Sequence, residues 1–337
     1  MVAGTDRRPP PSTITITERT ILMPLEPVSQ AMLAQMAEEG APAIHESTPA
    51  IARMTGPIMA GLTGAGPEVG TVRNLKLDGT DGRFRVRVLE PEAPSQAIIV
   101  YFHGGGWVLG DIDLQYDHLA RLVVNQTQST VVLVNYRKAP EHPFPTAIED
   151  SYAGLRWVSD HANELAPEGV PLIVAGDSAG GNIAAVMTQW ARDKAGPRID
   201  YQVLVYPVTD CDVNTDSYLA PENQLMLSRD TMIWFWDHYL PDEEARKKPE
   251  ASPIRAESLA GLPPALVFVA EYDPLHDEGI AYAKALEAAG VPVTLEEAQG
   301  QMHAYFQMIN ILPGALEGIR LVTDHINTHI ASLVERV

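Results

Sequence analysis

Six short apolar runs, at residues 97–102, 130–136, 171–175, 201–206, 265–270 and 291–295, alternate with helical stretches at about 114–128, 146–164, 180–193, 277–289 and 315–334. A strand that is apolar at nearly every position must be covered on both faces, and strands separated by helices join as parallel neighbours. The expected class is therefore α/β, with a mostly parallel sheet flanked by helices. Two more strands precede the alternation, at 71–77 and 83–89, the second with Phe84, Val86 and Val88 on one face. Joined by Asp78-Gly79-Thr80-Asp81-Gly82, they read as an antiparallel hairpin and bring the expected sheet to eight strands.

Between the run ending at Tyr206 and the one starting at Ala265 the alternation fails for nearly sixty residues. A structureless loop of that length is improbable in a compact domain, and residues 228–240 carry Met232, Trp234, Phe235, Trp236 and Tyr239 at helical spacing. A helical insertion is expected there. Residues 27–62 are rich in Met and Ala and read as two or three short helices, preceded by a loose arm over 1–20.

Composition narrows the partners. A formal net charge of −20 leaves nothing to neutralise the phosphates of a nucleic acid and disfavours anionic membranes, so neither is an expected partner. The single cysteine, Cys211, allows no intrachain disulfide. Arg7-Arg8 is followed by Pro9-Pro10-Pro11 and not by an apolar stretch, so no signal peptide is read, no run approaches transmembrane length, and the expected location is cytoplasmic.

The chemistry starts at Gly176-Asp177-Ser178-Ala179-Gly180, which follows the run 171–175 and opens a helical stretch. Strand, G-x-S-x-G and helix together make the context of a nucleophile elbow, where a sharp turn leaves a serine hydroxyl exposed at the top of the sheet. Asp177 reads either as part of that elbow or as a helix cap. A serine is a weak nucleophile and needs a base oriented by a third group, in the chain order Ser, acid, His. Of the histidines beyond Ser178, His238 lies in the insertion, His276 shares the loop of the acid candidates, and His325 and His329 lie within the last helix. Only His303, in Gln299-Gly300-Gln301-Met302-His303, lies in a loop directly after a strand. The acid should also follow a strand, which selects Asp273, with Asp277 and Glu271 as rivals.

A second signal is His103-Gly104-Gly105-Gly106-Trp107, directly after the run 97–102. Consecutive glycines let backbone N–H groups approach a developing oxyanion, and the N–H of Ala179, at a helix N-terminus, would add another donor. A phosphate loop is the alternative, but neither G-x-x-x-x-G-K-S/T nor the Rossmann spacing is present.

These motifs, with residues 136–145 (Tyr136-Arg137-Lys138-Ala139-Pro140 onward), Tyr206-Pro207, residues 271–279 and the His303 loop, occur in the order that resembles the hormone-sensitive-lipase-like family of α/β-hydrolases, the bacterial family IV esterases. The likeness runs from about residue 71 to the C-terminus. It implies an α/β-hydrolase fold with a helical cap, the nucleophile at Ser178, the acid at Asp273, the base at His303, and oxyanion donors at Gly104, Gly105 and Ala179. It further implies a carboxylesterase for short- to medium-chain acyl esters, working through an acyl-enzyme without cofactor or metal. The expected division is residues 1–60 as the first part of the cap, 61–209 as the first part of the core, 210–255 as the cap insertion and 256–337 as the rest of the core. Two departures stand out: Ala304-Tyr305-Phe306 follows His303, where the family often has Gly, and Lys138 occupies a commonly apolar position.

Several readings stay open at this stage. A lactone or carbamate hydrolase would use the same site, and a receptor on the same scaffold would need a degraded one. Epoxide hydrolases and dehalogenases are disfavoured, because they place Asp where Ser178 stands. Asp150 reads either as a support for the site loops, by the same resemblance, or as a surface acid. His325 and His329, with Asp324, lack a third ligand and read as an exposed helix face. Trp107, Met226 and Trp234 are the candidates to line a substrate pocket; the cluster Trp234–Trp236 with the N-terminal methionines reads either as the wall of an acyl pocket or as ordinary packing of cap on body. The run 291–295 is the candidate edge strand for a homodimer, although Pro292 and Glu296-Glu297 could protect that edge in a monomer.

Overall fold

The computed structural model describes residues 13–14, 24–40 and 42–334. Among the described residues nine strands form one sheet: β1 (Thr13–Ile14), β2 (Thr71–Gly79), β3 (Gly82–Glu90), β4 (Ile98–Phe102), β5 (Thr130–Asn135), β6 (Leu172–Asp177), β7 (Tyr201–Val205), β8 (Ala265–Tyr272) and β9 (Val293–Met302). Their order across the sheet is β1-β9-β8-β7-β6-β4-β5-β3-β2. β4 to β9 run parallel, whereas β3 runs antiparallel to both its neighbours, β2 and β5. All eight expected strands are present.

The helices are α1 (Pro27–Glu38), α2 (Pro49–Arg53), α3 (Gly56–Thr63), α4 (Asp117–Thr127), α5 (Thr146–Asp160), α6 (Ala162–Leu165), α7 (Ala179–Asp193), α8 (Asp216–Leu219), α9 (Arg229–Tyr239), α10 (Glu243–Arg246), α11 (His276–Ala288) and α12 (Pro313–Val334). Period-2 alternation of the strands divides their side chains between two layers. Ile98, Val100 and Phe102 of β4 pack in one core with Ile183 of α7, Leu155 of α5 and Leu286 of α11. Ile99 and Tyr101 pack in the other with Leu119 of α4 and Ile326 of α12. Both layers are buried, which is why these strands read as continuous apolar runs.

Three local differences from expectation have physical causes. Gly79 pairs with Gly82, so the hairpin turns over two residues and not five. β9 extends to Met302, so Gln299-Gly300-Gln301-Met302 is strand and not loop. Its polar residues Glu296, Glu297, Gln299 and Gln301 are partly or largely exposed near the sheet edge, and no apolar run marks such a strand. Within the arm expected to be loose, Thr13 and Ile14 pair in parallel with Thr294 and Leu295, and the Glu26 N–H donates to the Gly300 carbonyl at 2.9 Å. The candidate edge, left open between pairing with a second copy and protection in a monomer, therefore carries the chain's own N-terminal segment at these points.

The insertion between β7 and β8 is helical, as expected. Ser228 caps α9 by accepting the Thr231 N–H at 3.2 Å, and Asp242 caps α10. Trp107 stacks on Tyr239 of α9 with centroids 4.2 Å apart, and Trp236 lies 4.8 Å from Trp107, so a block of aromatic rings seats α9 on the core. The N-terminal segment meets the insertion where His45 Nδ1 lies 3.1 Å from Thr231 Oγ1.

Asp150 is fully buried in α5 and is not a surface acid. It accepts from the Arg137 backbone N–H at 3.0 Å and from the guanidinium at 2.9 and 2.8 Å, fixing the loop after β5. Removing one member of a buried pair leaves the other charge uncompensated. Asp150→Ala is expected to lower unfolding free energy by about 3 kcal/mol in urea melts, with Asp150→Asn less damaging.

Candidate active site

Parallel strands that end on one side of a sheet deliver their following loops to a common crevice. β6 ends at Asp177, and Ser178 follows at φ 55°, ψ −121°, immediately before α7. A positive φ on a residue with a side chain is strained and must be held by its surroundings. Here the Ser178 N–H donates to Val205 O at 2.9 Å, and its carbonyl accepts from Asn182 at 3.0 Å and Val208 at 3.2 Å. A Cβ at Gly176 would strike the Gly180 carbonyl, and one at Gly180 would strike the carbonyl of Phe102. The two outer glycines of the pentapeptide are required by close backbone approach.

His303 follows β9 directly. Its Nε2 lies 3.0 Å from Ser178 Oγ and its Nδ1 lies 2.6 Å from Asp273 Oδ2. Asp273 is fully buried, and its other oxygen accepts the Leu275 N–H at 2.8 Å. The three residues chosen for nucleophile, base and acid are thus brought together in one relay. The rivals have other partners. Asp277 accepts the Ser217 N–H at 2.8 Å and pairs with His276, which holds its carboxyl below the usual range. Glu271 accepts the Gly300 N–H at 2.6 Å, where the β8–β9 register slips between Ala270 and Tyr272. That bulge, with Gly300 at φ 69°, sets where β9 delivers His303. His238 Nδ1 lies 2.8 Å from Trp234 O, His325 pairs with Glu296 at 3.3 Å, and partly buried His329 stacks on Tyr201 at 4.2 Å, so the last two are not a bare helix face.

The triple-glycine loop follows β4. The Gly104 N–H points inward, donating to Tyr116 Oη at 2.8 Å and to Asp177 Oδ1 at 3.2 Å. Gly104 is therefore not available as an oxyanion donor, which corrects the expectation by one residue. The N–H groups of Gly105, Gly106 and Ala179 have no acceptor among the described residues. The loop is held from below by Val108 and Leu109, whose N–H groups donate to Gly105 O at 3.1 and 2.8 Å. Arg53 holds it from above, donating to Val108 O at 2.9 Å, to Ala139 O at 2.6 Å and to Glu141.

Asp177 is not a helix cap but the hub beneath the loop, and it also reaches the cavity wall beside Ser178. Besides Gly104, it accepts from Tyr101 Oη at 2.9 Å, Tyr116 Oη at 3.0 Å and Gln307 Nε2. Burial pushes its carboxyl up to about 6, with the hydroxyl and amide donors pulling the other way.

A cavity of about 690 Å³ opens over Ser178 and His303, with Met59, Met226, Leu227 and Phe235 supplied by the N-terminal helices and the insertion. Of the expected pocket residues, Met226 lines it. Trp107 does not: it is fully buried in the stack on Tyr239. Trp234 does not either, its ring lying against His238 at 4.3 Å, one position away from Phe235, which faces the cavity. Arg53, Tyr116 and Gln307 were not expected at the site, and Phe235 only as a member of the Trp234–Trp236 cluster. The periodicity of α9 carried the signal for Phe235, and the other three act through contacts between distant segments. Among the described residues no His, Cys, Asp and Glu side chains converge in a group that could hold a metal ion, and no helix is long and apolar enough to cross a membrane.

Fold and site together define an α/β-hydrolase, and a family model described as alpha/beta hydrolase fold matches residues 99–307. Esterase LipI of Mycobacterium tuberculosis is 42% identical over 256 residues, covering 74% of this chain and 79% of that one. Carboxylic ester hydrolase LipN of the same organism is 39% identical over 274 residues, covering 79% and 73%. The crystal structure of a thermostable esterase from Pseudomonas putida superposes with a TM-score of 0.85 at 35% identity, covering 91% of this chain and 98% of that one. The chain belongs to the hormone-sensitive-lipase-like family of α/β-hydrolases.

The Asp177 hub has a pH signature. The folded carboxyl, at about 6, holds its proton more tightly than an ordinary one at 3.8. Its stabilising contribution is full below about pH 4 and is lost as pH rises through about 6, a change of roughly 3 kcal/mol. The stability difference between wild type and Asp177→Asn, followed by urea denaturation, is expected to fall by that amount over this window and to stay level above it. A difference that does not vary with pH would rule the reading out.

Proposed function

We propose that this chain is a serine carboxylesterase acting on short- to medium-chain acyl esters. The observation that carries the reading is the buried relay from Asp273 through His303 to Ser178, at 2.6 and 3.0 Å, beside three unpaired backbone N–H groups. The names of the relatives, an esterase and a carboxylic ester hydrolase, support the reaction class.

In this mechanism Ser178 Oγ attacks the ester carbonyl as His303 Nε2 takes its proton. Asp273 holds the imidazole by its Nδ1–H and stabilises the imidazolium. The N–H groups of Gly105, Gly106 and Ala179 receive the negative charge that develops on the carbonyl oxygen, the last at the start of α7, where the helix dipole favours an anion. Collapse breaks the bond to the alkoxy oxygen, which leaves with the proton from His303. Water then attacks the acyl-enzyme, giving its proton to His303 and releasing the carboxylic acid as Ser178 recovers its own. Donors held in place before reaction need no reorganisation, and removing one such donor typically costs about 10²–10³ in rate. A cavity of about 690 Å³ walled by Met59, Met226, Leu227 and Phe235 accommodates an acyl chain of modest length.

Ser178→Ala is expected to lower kcat on p-nitrophenyl butyrate by at least about 10⁴-fold with the circular-dichroism spectrum unchanged. Mass spectrometry of wild type treated with an organophosphonate should show a single adduct on Ser178. Full activity in the alanine variant would overturn the assignment. Rates across acetyl to palmitoyl esters should peak among the shorter chains.

A further inference from the structure

One arm of the cavity lies away from the relay and has a different chemistry. β5 stands two strands from β6 in the sheet order, with β4 between them, so at about 4.8 Å per strand the loop after β5 begins roughly 10 Å from the elbow. β3, antiparallel to β5 with Arg85 opposite Asn135, brings its first residues to the same side. The cavity is lined there by Arg53, Arg85, Arg137, Lys138, Asp111 and Glu141.

Each arginine of this arm has a carboxylate. Arg53 pairs with Glu141 at 2.7 Å, Arg85 with Asp113 at 2.5 Å and Asp111 at 3.3 Å, and Arg137 with buried Asp150 at 2.8 Å. Lys138 has none within ion-pairing distance among the described residues. Its ammonium donates to Asn135 Oδ1 at 2.6 Å and to the Tyr136 carbonyl at 3.3 Å. These two bonds account for two of its three N–H groups, and the side chain is partly buried with one face on the cavity. A half-buried cation that lacks a counter-ion is costly, and a bound anion supplies what the protein does not. The −20 net charge does not oppose this at close range, because charges on remote surfaces are screened over about 8 Å at physiological ionic strength.

We propose that the pocket selects esters that carry an ionised carboxylate a short methylene chain from the scissile bond, with Lys138 Nζ as the partner of that carboxylate. The proposal rests on the hydrolase reading and adds a substrate class to it. Burial lowers the Lys138 ammonium to about 8, with Arg53 and Arg85 acting in the same direction and Asp111 and Asp150 opposing them. Buried His103 also faces Lys138, and its own burial keeps it neutral. The substrate carboxylate stays ionised throughout this range, so the selection should disappear as the ammonium loses its proton.

The test compares kcat/KM for isosteric pairs in a pH-stat. The pairs are monomethyl adipate against methyl hexanoate, with the charge on the acyl side, and 5-acetoxypentanoate against pentyl acetate, with it on the alcohol side. In wild type the charged-to-neutral ratio of one pair should exceed its value in Lys138→Leu by about tenfold, chiefly through KM. It should fall as pH rises through about 8, while Lys138→Arg keeps it at pH 9.5, because a guanidinium stays charged there. Ratios that do not respond to pH in wild type, nor to either substitution, would overturn the proposal while leaving ester hydrolysis intact. Failure of wild type to turn over the neutral esters would instead remove the hydrolase reading and this proposal with it.

Discussion

The buried carboxylate of Asp177 is the point on which the site depends. It ends β6 one residue before Ser178 and gathers four donors: Tyr101 on β4, Gly104 in the glycine loop, Tyr116 at the start of α4 and Gln307 beyond His303. A buried carboxylate is tolerated only when its oxygens are satisfied, so the three segments that carry these donors, β4 with its following loop, the start of α4 and the stretch beyond His303, must arrive together or not at all. Satisfying it turns the Gly104 N–H inward and leaves the next two N–H groups of the loop facing the crevice. The direction in which the N–H groups of this loop point is therefore a consequence of a buried acid one residue before Ser178.

Strain is arranged around the same point. Trp107, Ser178, Tyr206 and Ala304 all have positive φ, at 59°, 55°, 33° and 66°. Each costs an L-residue on the order of 1–2 kcal/mol relative to ordinary conformations. The four stand at the glycine loop, the turn into α7, the end of β7 and the residue after His303 in turn. Ala304, directly after His303, occupies a left-handed position that glycine would take without steric cost, and this chain holds it with a methyl group. Its neighbours supply the compensation, since Tyr305 and Phe306 are fully buried between the sheet and α12.

Much of this was legible in the sequence because it follows from pattern. Continuous apolar strands between helices require a two-faced parallel sheet, and chemistry at strand ends then picks out Ser178, Asp273 and His303 by position alone. What was not legible depends on contacts between distant segments. A run of three glycines has no internal phase, so nothing local tells Gly104 from Gly106; Tyr116 and Asp177 decide it. Trp107 and Trp234 are aromatic residues near the site in sequence, but the stack on Tyr239 turns one into the core and the helical phase of α9 turns the other aside in favour of Phe235. The polar end of β9 escaped because a strand next to the sheet edge can leave one face partly exposed, and its pairing with Thr13, Ile14 and Glu26 joins segments nearly three hundred residues apart.

The same distinction separates the reaction from its selectivity. The relay and the donor loop are set by the sheet and by Asp177, so they are fixed before any substrate enters. The walls of the cavity come from elsewhere: α3 and the insertion supply Met59, Met226 and Phe235, while the loop after β5 supplies Lys138. That loop is pinned at both ends, by Asp150 on Arg137 and by Arg53 on Ala139 and Glu141, so Lys138 is held in place rather than left to follow the solvent. A cation so held costs stability when it stands unpaired and recovers it when an anion arrives. Its presence in a wall that aliphatic side chains could have filled is therefore a statement about what enters the pocket.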